Sequence, residues 1–183
     1  GIENDPVTAR VAKALYPNQV IRCIDFDKAS LSADFDLAIG NPPFSNLSIR
    51  NRTELGRLGL SLHDFFIARS LEQLRPGGIA LFVTSRYSLD KSDPKARDHI
   101  AGIADLLGAV RLPAKAMRDE AGTDVVVDIL LFQKHAPDLP WRPQKWIELG
   151  EVPDSDEGEG PLRINLYFLD NPDHVLGRHE WRN

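Results

Sequence analysis

The chain has 183 residues, 42% of them hydrophobic, and a net charge of −5, which suits one domain able to bury a substantial core. No apolar run approaches the ~18 residues of a membrane span, and the opening Gly1–Asp5 is polar and acidic rather than a signal peptide. Membrane and secreted proteins are set aside and a cytoplasmic location is expected. The single Cys23 has no partner for an internal disulfide, and no Cys/His spacing suits a metal, so none is expected.

The negative charge is local. Glu151, Asp154, Asp156, Glu157 and Glu159 crowd one ten-residue stretch without a base, and setting these five aside leaves acids and bases in balance. Any surface for a polyanion is therefore a local patch rather than a global field. The only methionine is Met117, so the sequence reads as a piece of a longer protein.

In chain order, Ile2 ends a first strand, and Asp5-Pro6 supplies a helix N-cap with a first-turn proline. Val7, Val11 and Leu15 recur along one helix face until Pro17 stops it. Val20–Ile24 and Phe35–Ile39 are short, apolar and expected as strands. Asn41–Ser61, with its Pro, Gly, Asn and Ser, is expected as a long functional loop. Leu62–Leu74 places Ile67, Leu71 and Leu74 on one stripe, a helix that Pro76-Gly77-Gly78 is expected to end. Strand Ile79–Thr84, a helix Pro94–Leu107 opened by Asp93-Pro94, and strands Ala109–Leu112 and Val125–Phe132 follow.

This alternation predicts an α/β domain over residues 1–136, with a mostly parallel sheet and helices on both faces. Residues 137–161, with Pro137, Pro140, Pro143 and the acidic run, read as linker. Residues 162–183 read as the start of a further segment, with Leu162–Leu169 as one more strand and Asn171-Pro172-Asp173 as a helix start.

The chemistry is concentrated in Gly40-Asn41-Pro42-Pro43-Phe44, directly after the strand Phe35–Ile39. Ligands of open α/β sheets bind beyond the carboxyl ends of strands. Two prolines stiffen the backbone there. Asn41 Oδ1 and the Pro42 carbonyl are adjacent acceptors, and Phe44 offers a ring for a flat ligand. An exocyclic amine on a heterocycle is a poor nucleophile because its lone pair is delocalised. Two acceptors taking its N–H bonds draw the nitrogen toward tetrahedral geometry and free that pair, while Phe44 stacks on the ring, worth ~1–3 kcal/mol. The gain comes from orientation and preorganised dipoles.

With that motif, the sequence resembles the N6-adenine DNA methyltransferases of restriction-modification type over about Gly1–Lys134. The resemblance implies a Rossmann-like methyltransferase fold, S-adenosylmethionine as cofactor, and methyl transfer to the N6 amino group of adenine in DNA. It gives Asn41, Pro42, Pro43 and Phe44 the catalytic role. Gly1-Ile2-Glu3-Asn4-Asp5-Pro6 is similar to the family's second strand end, which implies Glu3 on the cofactor's ribose hydroxyls and Asn4 beside its adenine. Asp25-Phe26 resembles the pair that reads that adenine, and Phe66 matches an aromatic packed on it. Leu74-Arg75-Pro76-Gly77-Gly78-Ile79 is shared by methyltransferases generally. Ala116-Met117 through Phe132-Gln133-Lys134 resembles the target-base side, with Met117 where the family usually has Phe or Tyr. Arg50 and Arg52, with Arg57, are expected at DNA phosphates. Ile164–Leu169 with Val175-Leu176-Gly177 is similar to a stretch of large methylase-containing proteins of plasmids and phages.

The family's glycine-rich turn after its first strand is not present in these residues. The resemblance therefore implies that strand one, central in the sheet, comes from an upstream segment, a second chain or a swapped neighbour, and that this polypeptide alone is unstable or inactive. Two other readings stay open: a glutamine N5-methyltransferase of release factors, which also uses Asn-Pro-Pro-Tyr, and a catalytically silent module binding DNA or another subunit. C5-cytosine methylation is set aside because Cys23 follows Arg22 in a strand and lacks a Pro-Cys loop.

Overall fold

Asp5 starts the first helix as its sequence suggests: extended at ψ 122°, its carboxylate accepts from Thr8 N at 2.7 Å, and Pro6 fills the first turn. Helix α1 (Pro6–Leu15) ends before Pro17. The computed structural model describes residues 1–32, 34–45, 47–113, 116, 125–140, 142–152 and 161–177. These fall in two units, Gly1–Ala33 and Asp34–Asn183.

In the first unit, β1 (Ile2–Glu3) and β2 (Arg22–Cys23) pair in parallel, with Glu3 opposite Cys23. β2 is shorter than the expected Val20–Ile24, and Val20 is exposed. The apolar stripe of α1, Val7, Val11 and Leu15, is also exposed.

The second unit is built on a four-stranded sheet in the order β3–β4–β6–β5, where β3 is Phe35–Gly40, β4 is Leu74–Ser85, β5 is Ala104–Arg111 and β6 is Val127–Lys134. β3 and β4 are parallel; β6 runs antiparallel to both β4 and β5. The sheet is thus mixed, an arrangement that alternation alone did not reveal. Helix α3 (Leu62–Glu72) presents Phe65, Ile67 and Leu71 to the core, which they share with Phe82, Leu130 and Phe132. Among the described residues no helix is long and apolar enough to cross a membrane.

Pro76-Gly77-Gly78 does not end α3. The helix stops at Glu72, and Lys134 Nζ donates to the Glu72 and Leu74 carbonyls at 2.8 and 2.6 Å. The Pro-Gly-Gly stretch instead lies inside β4, opposite a register shift between Phe35 and Leu37. Gly77 has φ 75°, and a Cβ on Gly78 would come within 3.0 Å of Arg75 O and Leu74 Cβ, so neither position suits a larger residue. Asn41–Ser61 is not a bare loop either: it contains α2 (Glu54–Arg57). A short α4 (Tyr87–Asp90) follows β4, and α5 covers only Lys95–Ala101, because β5 begins at Ala104.

The stretch 137–161, read as linker, holds a 3-10 turn at Lys145–Ile147 and β7 (Leu149–Glu151), which pairs antiparallel with β8 (Arg163–Asn165). Trp146 is buried edge-on against Phe132, with ring centroids 5.8 Å apart. Leu166–Asp170 is a helix, α6, rather than strand; Asn165 Oδ1 caps it by accepting from Tyr167 N at 3.0 Å. Pro172–His174 is a single 3-10 turn.

Arg111 ties these parts together. Its guanidinium forks onto Asp128 with two 2.8 Å bonds, pairs with Asp90 at 2.7 Å, and lies 4.2 Å over the Phe168 ring. Burial opposes the charge, but Asp128 and Asp90 outweigh it and raise the Arg111 pKa. Arg111→Ala would strand two buried carboxylates and is expected to cost about 3–5 kcal/mol, read as a lowered urea midpoint.

Asp64 is a second buried carboxyl. Its Oδ2 accepts from Ser61 Oγ at 2.5 Å, and its Oδ1 and His63 Nδ1 have no hydrogen-bond partner among the described residues. Burial is the largest influence and pushes Asp64 above the ordinary carboxylate range, against His63 and Ser61. A pKa higher in the folded than in the unfolded state means the folded protein binds more protons between the two values. The stability linked to Asp64 is therefore present below the ordinary range and lost as pH rises through the raised value. Asp64→Asn keeps an acceptor for Ser61 and removes the titration. Urea midpoints from pH 4.5 to 8 are expected to fall less with rising pH in this variant than in the wild type; parallel curves would overturn the account.

Candidate functional site

The carboxyl end of β3 carries the Asn-Pro-Pro-Phe sequence. Gly40 sits opposite Phe82 of β4 in the parallel ladder, and Asn41 leaves the sheet immediately afterwards. Pro42 is buried, which anchors the turn, while Asn41, Pro43 and Phe44 are exposed, Phe44 by 38%. Among the described residues, neither the Asn41 carboxamide nor the Pro42 carbonyl is engaged in a hydrogen bond. Two neighbouring acceptors without a hydrogen bond among the described residues and an exposed aromatic ring thus lie at a strand end, an arrangement able to receive the N–H groups of a flat amine.

The segment after it is held by local bonds. Ser48 bridges Ser61, and Ile49 N donates to Leu60 O at 3.3 Å. Asn51 Oδ1 accepts from both Thr53 N and Thr53 Oγ1, at 3.0 and 2.5 Å, and Thr53 Oγ1 caps α2 by accepting from Gly56 N at 3.1 Å. A Cβ on Gly56 would lie 1.9 Å from Asn51 Oδ1, so the turn demands glycine. The Arg50 guanidinium lies beside Gly59, whose φ is 64°. Arg50 and Arg52 are both exposed, and neither makes an ion pair among the described residues. Phe66, on α3, is partly buried and packs against the core. Met117 lies outside the described residues.

In the first unit, Glu3, Asn4, Asp25 and Phe26 gather at the adjacent carboxyl ends of β1 and β2. Glu3 Oε1 accepts from Asp5 N at 2.9 Å, which orients the carboxylate while its other oxygen takes no hydrogen bond among the described residues. Asp25 Oδ2 is paired with Lys28 Nζ at 2.5 Å; this bond, with help from Asn4, holds its carboxyl below the usual range. To accept from a ligand's amino group, Asp25 has to exchange one of these partners. Phe26 is partly exposed. Among the described residues no group of three or more His, Cys, Asp and Glu is placed to hold a metal.

The sequence reading passed over one pair. Directly after β4, Arg86 and the half-exposed Tyr87 project from the same end of the sheet as Asn41. The Arg86 guanidinium lies 5.1 Å from the Tyr87 ring centroid and donates to its hydroxyl at 3.3 Å. The available signal was the rule that singled out Asn41: polar and aromatic residues immediately following an apolar strand.

No protein-family model matches the sequence. The chain is 28% identical over 142 residues to defense against restriction protein B of Escherichia phage P1, which covers 75% of the chain and 6% of the phage protein. Among solved structures, it resembles the M protein of the type I restriction enzyme EcoKI with a TM-score of 0.63 at 23% identity, over 78% of this chain and 32% of that one. It also resembles a Listeria monocytogenes protein assigned to the class I S-adenosylmethionine-dependent methyltransferases, with a TM-score of 0.60 at 20% identity, over 78% and 46%. The chain thus spans less than half the length of each of these proteins. Its α/β fold is the Rossmann-like fold of class I S-adenosylmethionine-dependent methyltransferases.

Proposed function

We propose that the protein carrying this chain transfers a methyl group from S-adenosylmethionine to the N6 amino group of adenine in DNA, in restriction-modification or mobile-element DNA modification. The observation that carries this reading is the unengaged acceptor pair, Asn41 Oδ1 and Pro42 O, beside exposed Phe44 at the carboxyl end of β3. The phage protein named for defense against restriction and the restriction-enzyme M protein support the setting.

The residues at the ends of β1 and β2 suit the nucleoside half of the cofactor. Glu3 has a carboxylate oriented by Asp5 N, with an oxygen left for a ribose diol, and Asn4, Asp25 and Phe26 add amide, carboxylate and ring contacts. When bound, S-adenosylmethionine supplies a methyl group on a cationic sulfur. Asn41 Oδ1 and the Pro42 carbonyl accept the two N–H bonds of the adenine amine and localise its lone pair. Phe44 covers the base, which has to be extruded from a duplex to reach them. Buried Pro42 fixes both acceptors before the base arrives, so little reorganisation is needed.

A further strand is part of this proposal. β3 is the sheet's edge, and Leu37 and Ile39 are 53% and 69% exposed. An upstream segment or a second chain adding a strand there, followed by a glycine turn for the cofactor's methionine half, would complete the sheet. Titration calorimetry is expected to detect S-adenosylmethionine binding by a protein that includes such a segment and none by these 183 residues alone; binding by the chain alone would remove this part.

The central test is the Asn41→Ala variant of the full-length protein, offered unmodified DNA or a release-factor glutamine peptide with tritiated cofactor. Transfer to adenine is expected to drop by about 10²-fold or more, with cofactor affinity retained. Undiminished transfer would refute the assignment of Asn41, and transfer to the peptide instead of DNA would shift the substrate to a glutamine amide.

A further inference from the structure

We infer that Arg86 and Tyr87 form a contact for a polynucleotide strand beside the Asn41–Phe44 turn, with Tyr87 stacking on a base and Arg86 on a phosphate. The inference rests on the adenine reading above and adds a second contact surface to it.

The backbone beneath the pair is fixed. Arg86 N donates to Val126 O at 3.1 Å, and Leu89 N and Asp90 N return to Arg86 O at 3.1 and 2.9 Å. Ser88 and Leu89 point inward; Ser88 Oγ meets Thr84 Oγ1 at 2.9 Å, and both residues are buried. Asp90, at the end of the same turn, is held by Arg111. With its neighbours committed to the core, this turn leaves Tyr87 half-exposed and Arg86 partly buried beside it. A large ring held half-exposed on a rigid turn loses little freedom on binding, which favours recognition over simple solvation.

The chemistry of the pair is selective. Arg86 makes no close ion pair among the described residues: Asp90 and Asp128 pair with Arg111, and Arg86 acts on Asp128 only through a longer-range attraction. Its guanidinium is oriented by the Tyr87 ring and hydroxyl rather than by a carboxylate. A guanidinium that makes no close ion pair among the described residues, next to a half-exposed aromatic ring, is a combination that suits binding of nucleic acid strands without reading sequence. β4 runs through Ser85, past the Phe82 register where β3 gives way to Asn41. Arg86 therefore lies roughly 10 Å further along the strand direction, about three base steps at ~3.4 Å each. That spacing suits nucleotides flanking an extruded base rather than the base itself.

The test measures anisotropy of a labelled DNA duplex with the full-length protein and its Tyr87→Ala, Tyr87→Phe and Arg86→Gln variants across a salt series. Tyr87→Ala is expected to weaken binding about 5- to 150-fold, and Tyr87→Phe to retain most of the affinity. Arg86→Gln is expected to reduce the slope of log Kd against log salt by about 1. Cofactor affinity and melting temperature should stay at wild-type values. Wild-type DNA affinity and salt slope in all variants would overturn the inference, as would a parallel fall in cofactor binding and melting temperature. If these variants bind DNA normally while the wild type methylates adenine, this inference fails and the methylation reading stands. If the wild type binds DNA through this pair but transfers no methyl group, the reverse holds. No DNA binding by the wild type would end both.

Discussion

A guanidinium buried among carboxylates is tolerated only when every charge is answered. Arg111 is almost fully enclosed, and so is Asp128. Removing these ions from water costs several kcal/mol each, repaid only by close geometry and further hydrogen bonds. The two-pronged bond to Asp128, the pair with Asp90 and the Phe168 ring supply that geometry. Arg111 and its three partners come from β5, β6, α4 and α6, so one side chain sets the relative placement of the central antiparallel strand, the turn after β4 and the C-terminal helix. Asp90 also accepts from Asn165 N at 3.0 Å, and Asn165 Nδ2 donates to Leu89 O and Trp146 O at 3.0 and 2.7 Å. The stretch beyond residue 145 thus belongs to the same packing unit as the sheet, fastened by polar bonds that would be costly to leave unmade.

The same network gives the carboxyl end of the sheet its rigidity. Leu112 N donates to Val127 O and Arg86 N to Val126 O, both near Arg111 in the strand register. Chain exits from β4 and β5 and the entry into β6 are therefore locked where α/β sheets place their ligands. On β3 the anchor is different: buried Pro42 fixes the turn while Asn41 and Phe44 stay outside.

Much of this was legible in the sequence where the determinants are local. Asp5-Pro6 and Pro17 set the limits of α1 by capping and by the missing proline N–H, and four consecutive residues define the Asn41–Phe44 turn. Errors arose where tertiary contacts override local signals. Pro76-Gly77-Gly78 has a helix-stop composition, yet Gly77 and Gly78 serve a close backbone approach inside β4, near Asp36 O. Ile100, Ile103 and Leu107 keep helical spacing past Gly102, but pairing with β6 claims the chain from Ala104. Trp146 sits in a proline-rich stretch with a linker's composition, and only its burial against Phe132 identifies it as core. Arg86–Tyr87 escaped notice because exposure at a strand end depends on Ser88 and Leu89 turning inward. The Arg111–Asp128 fork spans 17 residues of sequence and has no local signature.

The open edge of β3 links these observations. Its ladder with β4 uses one side of the strand, and Leu37 and Ile39, which share a face, remain largely exposed. An apolar edge of this kind is a template for strand pairing, and folded proteins seldom leave one uncovered. The consequence reaches the site directly, because Asn41 is the residue after Gly40 and inherits whatever freedom the strand retains. Pro42 anchors the turn from below, but the direction of the carboxamide follows the twist of β3, which pairing on both sides would fix. A parallel strand on that edge would also end beside Asn41 and bring its own following turn to the same end of the sheet. If the proposed additional strand pairs on that edge, covering the exposed apolar residues and aiming the two acceptors become one physical event, so assembly of the sheet and competence of the proposed site would rise and fall together.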